Sequence, residues 1–162
     1  MSNVLQHTFV TSDHHFGSYR LPSFLSVYSR DEEIELIDKW NSIVGKDDIV
    51  YYNGDFSDAS TVVELCNYAK QLNGNIILIL GNHDSLGIDV YKAIFKDVVD
   101  KVVLDDLDLT IHHCPGLVKT KNQVFGHLHR DGNIDKTNGF CSCVQRNSGY
   151  PVSLERIAMS FK

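Results

Sequence analysis

Ile76-Ile77-Leu78-Ile79-Leu80-Gly81-Asn82-His83-Asp84 runs from five aliphatic residues straight into a glycine and three polar side chains. An apolar run of that length, bounded by a turn signal, reads as a buried strand. Two earlier stretches share the form. Thr8-Phe9-Val10-Thr11-Ser12 leads into Asp13-His14-His15, and Ile49-Val50-Tyr51-Tyr52 leads into Asn53-Gly54-Asp55. Helical patterns lie between the three strands. Asp31 to Val44 has an acidic first turn, then Ile34, Ile37, Trp40, Ile43 and Val44 on one side, and Gly45 at its end. Ser60 to Leu72 places Val63, Leu65, Cys66 and Ala69 partly inward and closes at Asn73-Gly74. Residues 88–96 suggest a short helix.

The pattern then changes. Residues 101–104, 107–111, 122–125 and 140–144 read as strands with no long helix between them. A βαβαβ half followed by a mostly β half predicts an α/β fold, a two-sheet α/β sandwich flanked by helices, with residues 1–162 as one domain. In βα units, ligand-binding residues sit on loops at the carboxyl ends of the strands. Each of the first three strands ends in Asp, His or Asn, so the three clusters can converge on one rim.

Composition agrees. Apolar residues are 43% and charged residues 22%, the balance of a globular protein and not of a disordered, fibrous or coiled-coil chain. The longest apolar run, five residues, is too short to span a bilayer. Residues 1–7 lack the basic and apolar regions of a signal peptide, so a cytoplasmic location is expected. The net charge is −6. That argues against long nucleic acid as a partner, whereas a small phosphorylated ligand is compatible if metal cations supply local positive charge. Cys66, Cys114, Cys141 and Cys143 are expected to be reduced core residues. Cys141-Ser142-Cys143 lacks the second C-x-x-C pair of a zinc site.

Seven of the eight histidines fall in four clusters: Asp13-His14-His15, Gly81-Asn82-His83-Asp84, His112-His113-Cys114-Pro115 and Gly126-His127-Leu128-His129. With Gly54-Asp55 they offer imidazole nitrogens and carboxylate oxygens, a mix that suits Mn, Fe, Zn or Ni. Asp13/His15 and His127/His129 are i, i+2 pairs, which in extended chain project to one side. Any one cluster is as readily a capped turn; five in this order are not.

That order, Asp-x-His, Gly-Asp, Gly-Asn-His-Asp, His and Gly-His-x-His, resembles the calcineurin-like metallophosphoesterase superfamily over residues 8 to about 157. Thr11-Ser12-Asp13-His14-His15-Phe16-Gly17, Trp40-Asn41-Ser42-Ile43-Val44 and Tyr150-Pro151-Val152-Ser153-Leu154-Glu155 are similar to its small, uncapped bacterial and bacteriophage members. A phage origin would place the chain in the host cytoplasm.

The resemblance implies two divalent metal ions, Mn²⁺ first, with Fe, Ni, Zn or Mg as alternatives. Asp13, His15 and His129 would bind one, Asn82, His113 and His127 the other, and Asp55 would bridge both. His113 is preferred to His112, because His113-Cys114-Pro115 resembles the His-x-Pro of the small members. His83 would protonate the leaving group, with Asp84 either orienting it or capping a helix. The implied reaction is hydrolysis of a phosphate ester by a hydroxide shared between the cations, a phosphodiester of a nucleotide or other small molecule ahead of a monoester. The alternatives are a non-catalytic scaffold of the same fold and a nuclease on short single strands.

Three positions depart from the family pattern: His14 within the first motif, Ser18 where many small members carry His, and Asn53 where an apolar residue is usual. The last suggests that the second strand ends one residue early. Arg130, beside His129, and Arg20 are candidate substrate contacts. The aromatics of residues 16–30 are expected to pin that loop to the body, with base stacking as the alternative.

Overall fold

The computed structural model describes residues 2–20, 27–116, 120–129 and 139–162. Helix α1 (Ser2–Gln6) leads into strand β1 (Thr8–Thr11), α2 (Arg30–Ile43), β2 (Ile49–Asn53), α3 (Val62–Ala69), β3 (Asn75–Ile79), α4 (Ile88–Ile94) and β4 (Asp97–Val99). Strands β1 to β4 pair in parallel. Then β5 (Val102–Leu104), β6 (Leu109–Ile111), β7 (Asn122–Phe125) and β8 (Gly139–Cys141) form a second sheet in that order, antiparallel only between β5 and β6. The chain returns as β9 (Val152–Ser153), antiparallel beside β1, and ends on α5 (Leu154–Met159). Among the described residues no helix is long and apolar enough to cross a membrane.

Strand alternation decides which core each side chain joins. Phe9, Val50, Tyr52, Ile76 and Leu78 face the helices and pack with Trp40, Leu65, Tyr91 and Phe95. Val10 and Ile79 face the other way and meet Leu109, Ile111 and Val124 of the second sheet, with Leu154 and Ile157 of α5. Both faces of the first sheet are therefore covered, which is why its strands read as continuous apolar runs.

The helices begin where their caps are. Ser29 and Glu32 form a reciprocal capping box at α2, and Thr61 accepts from Glu64 N–H at α3, so α3 starts later than Ser60. The inward face of α2 is corrected. Glu33, Leu36 and Trp40 are buried, whereas Ile34 and Ile43 are exposed. The helix turns because the Glu33 carboxylate accepts from Gly17 N–H at 2.7 Å and Tyr68 O–H at 3.1 Å. A buried carboxylate must be hydrogen-bonded, and these donors lie inward. On α3, Leu65 is buried but Val63 is exposed.

Strand β2 does not stop at Tyr52. Asn53 pairs with Ile79, is fully buried, and donates through Nδ2 to His112 O at 3.0 Å and Ser142 Oγ at 3.2 Å. Its amide ties the first sheet to the second, a role an apolar residue could not fill. Strands β4 and β9 were not expected. At three and two residues they carry too little pattern to read, and they exist because β3 and β1 offer them open edges.

Candidate metal centre

The loops after β1, β2, β3, β6 and β7 meet at one end of the two sheets. They bring Asp13, His15, Asp55, Asn82, His83, His113, His127 and His129 together. Seven non-glycine residues among those described have positive φ, and five belong to this set: Asp13 (62°), His15 (49°), Asp55 (56°), His127 (68°) and His129 (44°). Left-handed backbone is uncommon outside glycine, and its concentration here marks strain held in place by the surrounding fold.

Close approach needs the motif glycines. A Cβ on Gly54, itself at φ 85°, would stand 2.3 Å from His113 Nδ1. One on Gly81 would stand 2.3 Å from both the Asp55 amide nitrogen and Oδ1.

Asp55 is the hub. Its Oδ2 lies 3.2 Å from His113 Nε2 and 3.6 Å from His15 Nε2, while Oδ1 accepts from His83 N–H at 2.9 Å. On one side, ligand atoms of Asp13, His15, Asp55 and His129 lie within 4.8 Å of one another. On the other, Asn82 Oδ1 lies 3.1 Å from His113 Nε2 and 2.9 Å from His127 Nδ1. The Asp13 carboxylate accepts from His127 N–H, which links the first and last motifs.

Two imidazoles are aimed by their outer nitrogens. His15 Nδ1–H donates to Asp58 Oδ2 at 3.0 Å, and His113 Nδ1–H donates to Asn53 O at 2.8 Å. In both, Nε2 is left to face Asp55. His15 Nε2 is buried with no hydrogen-bond partner among the described residues. A buried, unpartnered imidazole nitrogen facing two carboxylates is what a divalent cation would satisfy, so the donor set fits a metal.

Burial alone would raise the Asp55 carboxyl. The hydrogen bond and charge of His113, then the His83 N–H and His15, override it and hold the group at about 2. Burial works against a charge on His113, but Asp55, then Asp13, push it up to about 9. His15 is likewise raised against burial, by Asp58, Asp55 and Asp13. Without a cation, protons on these rings balance the carboxylates.

The structure separates the neighbouring histidines. His112 turns to Gln123 Oε1 at 3.2 Å, and burial lowers its pKa. The ladder between β6 and β7 continues through His112 N–H to Val124 O and Gly126 N–H to His113 O, so the two rings fall on opposite faces. His113 is the one in the cluster. His14 is fully buried against Phe16, bonded to Tyr52 O–H at 2.7 Å, and held neutral by burial and the charge of His15, its pKa about 3.

Asp84 neither orients His83 nor caps a helix. Its carboxylate accepts from Gly81, Asp55 and Phe56 N–H groups and joins two of the site loops. Burial raises it to about 6 in spite of those bonds. His83 pairs instead with Asp58, whose Oδ1 lies 3.2 Å from His83 Nδ1. Asp58 thus serves His15 and His83 with one oxygen each, and sequence reasoning missed it. Its signal was the carboxylate three residues after Asp55. Gln145 was also missed; its amide donates to Asp13 O at 3.2 Å and lies 2.9 Å from His129 Nδ1.

Arg20 pairs with Glu64 and lies over the Tyr19 ring, so its partners are not those of the cluster. Arg130 lies outside the described residues, as does Phe24. Phe16 is a core residue packed on Phe56 and Tyr68. Cys114 is not a core residue: it is half-buried, and its thiol is raised by burial, then by the charges of Asp55 and Asp13. Cys141 and Cys143 are buried and free.

Known proteins are similar to this chain in sequence and in fold. The chain is 38% identical over 97 residues to the Gene 66 protein of Mycobacterium phage L5, which covers 56% of this chain and 47% of that protein. It spans about half the length of the curated relatives it matches. Its fold is similar to that of AQ665, a protein of unknown function from Aquifex aeolicus, with TM-score 0.74 at 19% identity over 94% of this chain and 98% of that one. It is also similar to Pseudomonas putida nuclease MPE, with TM-score 0.53 at 20% identity over 76% and 61%. The model of the calcineurin-like phosphoesterases matches residues 7–143, and the chain belongs to that family.

Proposed function

We propose that this chain hydrolyses small phosphate esters, diesters ahead of monoesters, with two divalent cations. Asp13, His15 and His129 would hold one, Asn82, His113 and His127 the other, and Asp55 would serve both. The observation that carries this reading is the single Asp55 oxygen facing His15 on one side and His113 on the other. When bound, the cations neutralise phosphoryl oxygens and acidify a water, and Mn²⁺ suits the oxygen and imidazole donors.

The chain's own residues do the rest. Asp58 holds His15 through Nδ1, and Asn53 O holds His113 the same way, so neither ring turns away. Asp58 also takes His83 Nδ1, which leaves Nε2 of that exposed ring to give a proton to the leaving oxygen. Every position the chemistry needs is filled, which favours an enzyme over a non-catalytic scaffold. The Pseudomonas putida neighbour is a nuclease, but the likeness to it is one of fold, and a net charge of −6 favours a small ester such as a nucleotide over a long polymer. The free cysteines suit a reducing cytoplasm.

The test is an assay of paired chromogenic mono- and diesters with added Mn²⁺, followed by cyclic and linear nucleotides, on wild type and Asp55→Asn. The variant is expected to lose bound metal and at least ~10²-fold in turnover while keeping its fold. Full metal content and a normal rate in Asp55→Asn would overturn the assignment.

A further inference from the structure

We propose that Cys114 gives its sulfur to the cation between His113 and His127, and so biases that half of the centre toward a thiophilic cation, Zn²⁺, over Mg²⁺. The proposal rests on the cation-binding reading above and adds a ligand to it.

The ligand atoms of His113, Cys114 and His127 lie within 4.8 Å of one another. They come from two chain segments, His113 and Cys114 after β6 and His127 after β7, which are paired parallel strands. Gly126 N–H donates to His113 O at 2.9 Å and clamps the two strand ends together. The clamp holds the two segments together, and the chain bends at His113 and Cys114, so imidazole and thiol lie near one another in spite of their adjacency. Metal–ligand bonds of about 2.0–2.3 Å put tetrahedral ligand atoms roughly 3.5 Å apart, so a side-chain rotation closes this group on one ion.

The two halves of the centre differ in softness. Asp13, His15, Asp55 and His129 offer carboxylate oxygen and imidazole nitrogen. The other half shares the Asp55 carboxylate but adds two imidazoles, the neutral Asn82 amide and a thiol, and has no second carboxylate. Thiolate selects thiophilic metals, while carboxylate suits Mg and Mn. On binding, the Cys114 S–H proton passes to solvent and the sulfur lone pair goes to the cation, with no change of oxidation state. Cys114 is free and half-buried, so a hydrated cation can reach it.

The experiment titrates Co²⁺ into the metal-free full chain and follows absorption. Wild type should show a sulfur-to-cobalt charge-transfer band in the near ultraviolet. Cys114→Ser should lose that band while still taking up Co²⁺ by d–d absorption and metal analysis. Cys143→Ser should keep it. The ratio of Zn²⁺ to Mg²⁺ affinity should fall at least ~10-fold in Cys114→Ser. A second readout needs no variant: Zn²⁺ should slow alkylation of Cys114, mapped by mass spectrometry, at least ~10-fold relative to Cys66. Co²⁺ uptake by wild type without the band, a band that survives in Cys114→Ser, or unprotected alkylation overturns the sulfur ligand and leaves the cation reading standing. No Co²⁺ uptake at all overturns both.

Discussion

His113 Nε2 stands 3.2 Å from Asp55 Oδ2, although Asp55 follows a strand of the first sheet and His113 a strand of the second. The two sheets meet in this pair. Each partner holds the other in its charged form, Asp55 at about 2 and His113 at about 9.

The pair fixes a pH window. His113 is raised from 6.5, so in the metal-free chain its contribution is complete below pH 6.5 and lost as pH rises to about 9. Asp55 is lowered from 3.8, so its contribution is present above that value and lost as pH falls to about 2. A cation must displace the His113 proton. Its apparent affinity should therefore climb between pH 6.5 and 9, by about tenfold per unit for each proton released. Calorimetric titration with Mn²⁺ in two buffers of different ionisation heat counts those protons; zero protons at pH 7 would sink the idea.

His83→Gln should keep its metals. It should slow a diester with an alkyl or ribose leaving group by ~10²–10⁴-fold and one releasing nitrophenolate far less, because nitrophenolate departs without a proton. Equal slowing of both substrates, or loss of metal, would give His83 a different role.

Asp58→Asn should behave differently from His83→Gln, because Asp58 holds both His15 and His83. Metal affinity is expected to drop ~10–100-fold together with the leaving-group effect. Metal analysis beside rates on the two leaving groups separates the variants, and unchanged metal affinity in Asp58→Asn would remove it from the support of His15.

His14 predicts acid sensitivity. Its folded pKa, about 3, lies below the ordinary 6.5, so the unfolded chain binds a proton that the folded chain refuses. Stability should fall as pH drops from 6.5 toward 3, by up to ~5 kcal/mol from this group. Urea unfolding of the metal-free chain across that range measures it, and a flat profile would show that His14 is not held neutral.

Gly81→Ala should be worse than an ordinary surface change. Its Cβ would overlap the Asp55 backbone and carboxylate, so one of the two loops must move. Destabilisation of about 1–3 kcal/mol is expected, with loss of metal binding. Thermal unfolding and metal analysis decide it, and a variant with wild-type metal content would show that the loops have room to give.

The sequence by itself determined the main strands and the polar clusters at their ends. Apolar runs that end in Asp, His or Asn are local signals, so β1 to β3, β5 to β8 and the polar clusters were legible, whereas the choice of ligands within those clusters came from the order of motifs that resembles the calcineurin-like phosphoesterases. Contacts between segments distant in the chain decided the rest. His112 and His113 are adjacent, and only the β6–β7 register puts one ring against Gln123 and the other against Asp55. Asp58 and Asp84 look like loop carboxylates until folding sets one between two imidazoles and the other under three backbone N–H groups. Asn53 looked like a strand end and is an inter-sheet tie, because its partners, His112 O and Ser142 Oγ, lie 59 and 89 residues away in the chain. A hydrogen bond across such a separation leaves no periodicity, so only the closed fold could place it.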